Sequence, residues 1–116
     1  MGLTMLQIAE SFSSHKFDAT YEYLLDDVHW NIVGGPAIIG KEDVIRTCEE
    51  SAEHLATVST EFSKFRTVKE GDCVVVDTLA EYTDAENGTS TVASCDIYDF
   101  RGGSLSAITS YNVELS

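Results

Sequence analysis

The chain has 116 residues, which is enough for one domain and too few for two. Twenty acidic residues stand against seven basic ones, and the formal net charge of −13 argues against nucleic acid and anionic membranes as partners. With 43% hydrophobic residues, the composition is that of a globular protein and excludes a disordered chain.

Two further features bear on the cellular compartment. No basic segment followed by an apolar run opens the chain, and no stretch reaches the ~20 apolar residues that span a bilayer. The three cysteines are odd in number and widely spaced, which favours reduced thiols over a disulfide framework or a zinc site. We therefore expect a cytoplasmic protein without a metal or other cofactor.

Apolar residues at helical spacing predict three helices in the first half of the chain. The first covers residues 3–13, and a second, short helix covers residues 17–25. The third begins after Gly40, where Glu42 and Asp43 favour a helix start. Its apolar stripe consists of Val44, Ile45, Cys48, Ala52 and Leu55.

Strand patterns account for the rest. One strand, residues 28–33, precedes the third helix, and the four strands that follow it cover residues 57–68, 73–82, 91–100 and 105–115. Tight turns between these four predict an antiparallel meander. Three amphipathic helices can cover one face of such a sheet, so the sheet should curl around them and leave a cavity at its wide end.

The last two predicted strands, residues 91–100 and 105–115, lack the regular alternation of charged residues that is typical of a solvated sheet face. We expect a second copy of the chain to cover the convex face, which would make the protein a homodimer. The alternative is an uncovered surface that the protein tolerates.

Two segments carry a family resemblance. Residues 31–42 look like the strand, loop and "G-[KR]-[ED]" helix start of the nuclear-transport-factor-2-like superfamily, to which SnoaL-like and ketosteroid-isomerase-like proteins belong. Residues 96–105 look like its paired last strands. The resemblance implies a single SnoaL-like domain over residues 1–116. It also implies an α+β fold in which a cone-shaped, curved antiparallel or mixed sheet wraps around three N-terminal helices, as in a cystatin-like α+β barrel.

Ketosteroid isomerase provides a chemical template, in which an Asp base works with a Tyr and a protonated Asp. Asp96, four residues before Phe100, matches the protonated Asp. The position of the base holds Asn31, and the position of the Tyr falls near Ile8. Because an amide cannot accept the substrate's proton, steroid isomerisation by that route is not expected.

The candidate catalytic residues are Asp96 and His29, with His29 as a base that shares its strand face with Asn31. The candidate ligand-binding residues are Asn31, Tyr98, Ser110, Asn112 and Ile108. Each has a structural alternative: Asp96 could bond a neighbouring hydroxyl group, and His29 could be a half-buried residue at a strand start. Trp30 has the opposite parity and is assigned to packing, while His15 and His54 are expected to be solvated.

Two functional hypotheses remain open. In the first, the protein is an isomerase, cyclase or hydratase that acts without a metal on a compact, largely apolar, neutral molecule bearing a carbonyl or hydroxyl group. In the second, it is a non-catalytic module of the same fold that binds a ligand or a protein. Neither a phosphate loop nor a Ser-His-Asp order of residues is present in the sequence.

Overall fold

The computed structural model describes residues 2–115, and within them it contains two α-helices, one 3-10 helix and six strands. The helices are α1 (Met5–Ser13), the 3-10 helix (Phe17–Tyr23) and α2 (Lys41–Leu55). The strands are β1 (Leu24–Ile32), β2 (Ile38–Ile39), β3 (Ser59–Glu70), β4 (Cys73–Asp84), β5 (Gly88–Arg101) and β6 (Ser104–Glu114).

The six strands form one mixed sheet in the order β2-β1-β6-β5-β4-β3. Strands β3 to β6 are the predicted antiparallel meander, β1 joins β6 in parallel, and β2 pairs antiparallel with β1. The helices pack against one side of the sheet, α1 on β4 and α2 on β1. The expected α+β cone is confirmed, with a sheet that remains open between β2 and β3.

The structure corrects the region between the first two predicted helices and the sheet. The predicted helix over residues 17–25 is a 3-10 helix that ends at Tyr23, and β1 begins at Leu24 rather than at Val28. Leu24 and Val28 are both buried, and a helix and a strand can each place these two residues against the core. The two-residue strand β2 was missed because so short a segment has no period.

The core lies between the helices and the concave face of the sheet. It is formed by residues at alternate strand positions together with the inner faces of α1 and α2. On β4, for example, Val74, Val76, Thr78 and Ala80 are buried in alternation. The aromatic ring of Phe12 joins the layers, since it makes edge contacts with Phe17 and Trp30 at centroid distances of 5.0 Å each.

The convex face of the sheet carries the opposite set of side chains. Tyr111 and Val113 are large, apolar and exposed on β6, and they pair across to Cys95 and Ala93 of β5. Lys64 and Arg66 contact Asp77 on the β3 side of this face, and Asp99 is exposed farther along β5. The middle of the convex face, around Tyr111, Val113, Cys95 and Ala93, is uncharged.

Candidate functional site

A cavity of about 470 Å³ opens between α1, α2 and the concave face of the sheet. Its walls include five Phe, Trp and Tyr rings, and its polar side chains come from both helices and from β4, β5 and β6. The lining residues include Phe12, His15, Trp30, Phe62, Tyr82 and Asp96. Aromatic walls combined with polar groups that converge on one space are typical of a small-molecule site.

Asp96 contributes a carboxyl group to this cavity from the sheet side. It lies on β5 opposite Ser110 of β6, and its Oδ2 accepts a hydrogen bond of 2.8 Å from Ser13 Oγ. Burial raises the pKa of Asp96 above its ordinary value, and the nearby hydroxyl groups of Ser110 and Ser13 and the nearby His15 oppose this shift. The site thus favours the protonated form more than water does.

Two further hydrogen bonds connect the surroundings of Asp96 to the core. Ser13 Oγ lies 2.6 Å from the hydroxyl oxygen of Tyr98, a fully buried residue. On the other side, the indole Nε1 of Trp30 donates to Ser110 Oγ at 3.0 Å. Within residues 2–115, no buried side-chain nitrogen or oxygen lacks a hydrogen-bond partner.

His15 reaches the cavity because of how α1 ends. The backbone N–H groups of His15 and Lys16 donate to the carbonyls of Phe12 and Ser11, which is the Schellman arrangement. This motif places a left-handed residue after the helix, here His15 with φ 72°, where glycine is usual. The backbone of His15 is therefore strained, and this same conformation directs its imidazole into the cavity.

The surroundings of His15 are aromatic. Its ring lies 5.8 Å from the ring of Phe17, 5.7 Å from that of Phe62 and 6.0 Å from that of Tyr82, measured between centroids. Burial lowers the pKa of His15, and the charge of Asp96 opposes that shift. The neutral imidazole, which can accept a proton, is favoured.

The wider end of the cavity is polar. Glu50 and the exposed His54 reach it from α2, and Ser94 Oγ donates a 2.7 Å hydrogen bond to Asn112 Oδ1 on the sheet side. Among the described residues, no Lys or Arg lines the cavity. Residues 2–115 likewise contain no group of three or more His, Cys, Asp or Glu side chains placed to hold a metal ion.

The structure brings together part of the set of residues that the sequence suggested. Asp96, Ser110 and Asn112 line the cavity. Tyr98 and Ile108 point to the same side of the sheet but are fully buried in the core behind the cavity. Tyr98 still reaches Asp96 through Ser13.

His29 and Asn31 do not face the cavity, and that expectation is wrong. They are register partners of Ala107 and Thr109 on the convex side, while Trp30 and Ile32 of the same strand line the cavity. The apolar alternation of Val28, Trp30 and Ile32 in the sequence is the signal that identifies the inward face of β1. A His29–Asp96 pair is therefore not formed.

Two other assignments are also corrected. Trp30 is part of the cavity wall as well as of the core, and His15 lines the cavity instead of being solvated. His54 is exposed, as expected, and it also contributes to the cavity lining. The backbone conformation that places His15 depends on the end of α1. No residue pattern in the sequence predicts this conformation.

Across residues 2–115, no helix has both the length and the apolar character that crossing a membrane requires. A sequence profile of the SnoaL-like domain matches residues 6–108. None of the functionally curated proteins matches the chain significantly.

Solved structures show the same fold. An NTF2-like protein of unknown function from Cytophaga hutchinsonii is 31% identical, with a TM-score of 0.83 and coverage of 93% of this chain and 95% of that one. An LEH-like epoxide hydrolase from M. tuberculosis is 19% identical, with a TM-score of 0.69 and coverage of 94% and 82%. A putative SnoaL-like polyketide cyclase from Jannaschia sp. CCS1 is 12% identical, with a TM-score of 0.73 and coverage of 93% and 84%. The profile match and the cone around an aromatic cavity agree, and this chain belongs to the SnoaL-like family of the NTF2-like superfamily.

Proposed function

We propose that the cavity binds a compact, largely apolar, neutral molecule and presents a carbonyl or hydroxyl oxygen of that molecule to Asp96. The observation that carries this proposal is a cavity of about 470 Å³, partly walled by aromatic rings, that holds a carboxyl group and an imidazole whose pKa values burial shifts toward the neutral forms. An anionic ligand would meet carboxyl groups and, among the described lining residues, no cation.

The reaction that this pair supports is a proton transfer, as in an isomerisation, a cyclisation or a hydration. Protonated Asp96 donates a hydrogen bond to the substrate oxygen, and neutral His15 accepts a proton from carbon or water. In an isomerisation, His15 removes a proton beside a carbonyl while Asp96 stabilises the enolate oxygen, and the same proton returns to another carbon. His15 takes the place that the sequence suggested for His29.

The second candidate is a non-catalytic module whose cavity holds a ligand or a regulator. Its basis is that the neutral forms of Asp96 and His15 also suit plain hydrogen bonding to a bound molecule. The two candidates differ in one measurable property, which is the movement of a proton to and from the ligand.

A probe ketone can distinguish the enzyme from the non-catalytic module. The methyl ketone 1-acetonaphthone is compact and neutral, has exchangeable α-hydrogens, and should quench the fluorescence of Trp30, the single tryptophan of the chain, in the cavity wall. We expect it to bind, whereas 1-naphthoate, its anionic counterpart, does not. In D₂O, proton NMR should show protein-catalysed exchange of its α-hydrogens for deuterium.

The variants Asp96→Asn and His15→Asn should each slow this exchange by roughly tenfold or more, because general acid–base groups contribute on that scale or above. The matched control is Asp99→Asn, which removes an exposed carboxyl from the same strand. Binding without exchange in the wild type would identify the non-catalytic module. If neither compound binds, or if the control variant loses exchange equally, the proposed site is wrong.

We also propose that a second copy of the chain covers the convex face and that the dimer works in a reducing, cytosolic compartment. The uncharged middle of that face, with Tyr111 and Val113 exposed, supports the dimer. Cys48, Cys73 and Cys95 are all free, which suits a reducing compartment.

A further inference from the structure

The single tryptophan of the chain contacts the cavity in two ways. Its ring forms part of the wall, and its edge contact with Phe12 anchors it in the core. Its indole N–H donates to Ser110 Oγ at 3.0 Å, and both groups are buried. Packing alone does not require a tryptophan here, because a Phe side chain would occupy the same space without burying an N–H group.

The hydrogen bond occupies one lone pair of Ser110 Oγ and so restricts the rotation of the Ser110 hydroxyl group. An indole nitrogen can donate but cannot accept, so Ser110 Oγ must be the acceptor in this contact. The proton of Ser110 is then free to point elsewhere. Its cross-strand partner Asp96 lies beside it, and both side chains line the cavity.

Without the indole N–H group, the Ser110 hydroxyl group could form several alternative hydrogen bonds. It then rotates freely and can donate to any acceptor within reach, including backbone carbonyls. With the indole N–H on its oxygen, one lone pair is occupied and the range of useful rotations narrows. A Ser110 hydroxyl group restricted in this way can face Asp96 from the sheet side, while Ser13 donates to that carboxyl group from the α1 side at 2.8 Å.

We propose that Trp30 is a positioning residue, whose N–H orients the Ser110 hydroxyl group toward Asp96 and so sets how readily that carboxyl group gives up its proton in the cavity. The inference rests on the proposed function for the role of Asp96. It concerns the action of Trp30 through Ser110 and is separate from the place of the Trp30 ring in the cavity wall.

The test replaces Trp30 by β-(3-benzothienyl)alanine, which keeps the shape of the indole and has sulfur in place of N–H. Because this is the only tryptophan of the chain, the replacement changes one site. The pKa of Asp96 is measured by carbon-13 NMR titration of the ligand-free protein. We expect it to rise, since a donor that stabilises the ionised form is weakened, and to rise further in Ser110→Ala.

A double-mutant cycle separates orientation from packing. In the Ser110→Ala background the benzothienyl replacement should leave the pKa of Asp96 unchanged, because the chain of hydrogen bonds is already broken. An equal shift in both backgrounds, or no shift in either, would overturn the inference. Trp30→Phe serves as a second variant that also lacks the N–H, with Asp99→Asn as the control for unrelated charge effects.

The titration also separates this inference from the proposed function. If the pKa of Asp96 responds as expected while 1-acetonaphthone neither binds nor exchanges, the proposed function fails and the positioning role stands. If exchange occurs but the cycle shows no coupling between Trp30 and Ser110, the positioning role is wrong.

Discussion

At the scale of single residues, Asp96 and His15 give the protein opposite responses to pH. Burial raises the pKa of Asp96, so above the ordinary value of 3.8 the folded protein keeps a proton that the unfolded chain has lost. Stability therefore falls as the pH rises through that range. Burial lowers the pKa of His15, so below the ordinary value of 6.5 the unfolded chain takes up a proton first, and stability falls as the pH falls.

Asp96→Asn should remove the first of these responses. The difference in free energy of unfolding between the variant and the wild type should shift in favour of the variant as the pH rises above 3.8. Urea unfolding at several pH values between 4 and 8 measures it. Asp99→Asn, on the exposed side of the same strand, should leave the slope as it is, and an unchanged slope in Asp96→Asn would contradict the assignment.

A second prediction concerns the left-handed conformation of His15. Glycine adopts φ 72° without strain, so His15→Gly should relieve about 1 kcal/mol of backbone strain, which offsets the lost contacts with Phe17 and Phe62. We expect a variant close to wild type in stability that has lost α-hydrogen exchange. A large loss of stability would show instead that the imidazole is kept for packing. Chemical denaturation and the NMR exchange assay together decide this.

At the scale of elements, the ends of the helices determine what reaches the cavity. A capping box of Thr4 and Gln7 starts α1, and the Schellman motif ends it at Ser14. Gly40 is the N-cap of α2, and its φ of 93° and ψ of 147° are accessible to glycine and strained for other residues. From that start, α2 carries Glu50 and His54 to the polar end of the cavity.

Gly40→Ala should therefore destabilise the protein by roughly 1–3 kcal/mol through backbone strain. Space is not the cause, since a Cβ atom there would lie 4.0 Å from the nearest atom, the carbonyl oxygen of Asp26. Gly35→Ala is the matched control, because Gly35 does not have a positive φ and its Cβ would make an ordinary 3.6 Å contact. Urea unfolding of both variants measures the difference. Equal stability of the two would contradict the argument.

At the scale of the whole molecule, the net charge opposes the association of two copies of the chain, and the uncharged convex face favours it. Two copies of a chain with a net charge of −13 repel one another at long range, and salt screens that repulsion. The uncharged middle of the convex face gives a short-range attraction through buried apolar area. We therefore expect the proposed dimer to become tighter as the ionic strength rises.

Tyr111→Lys places a charge in the middle of that face and should weaken the dimer by at least about tenfold, or about 1.4 kcal/mol. Ala52→Lys is the control, since it adds the same charge at an exposed position of α2. Native mass spectrometry and light scattering at low and high salt measure the dimer fraction. A wild-type protein that is monomeric at every concentration would contradict the dimer, and an equal effect of both variants would contradict the choice of face.

Local patterns in the sequence were enough to predict most of the fold. Helical spacing marks α1 and α2, and the turns at Gly71 and at Gly102–Gly103 predict the meander of the last four strands, because both signals arise among neighbouring residues. The boundary between the 3-10 helix and β1 was missed, since Leu24 and Val28 satisfy either period. The apolar residues Val28, Trp30 and Ile32 indicate the inward face of β1, but the family resemblance pointed to Asn31 instead, and His29 followed because it shares that strand face.

The composition of the chain and most of its fold follow from the sequence alone. The choice of Asp96 as a candidate site residue also follows from it, because an unpaired aspartate costs free energy wherever its strand is buried. The partners of Asp96 were decided by the tertiary structure. Ser13 bonds Asp96 across 83 positions of the chain, and Trp30 bonds Ser110 across 80. His15 enters the cavity through a backbone torsion that the end of α1 imposes. Contacts at such separations depend on how the sheet curves around the helices, and no window of neighbouring residues contains that information.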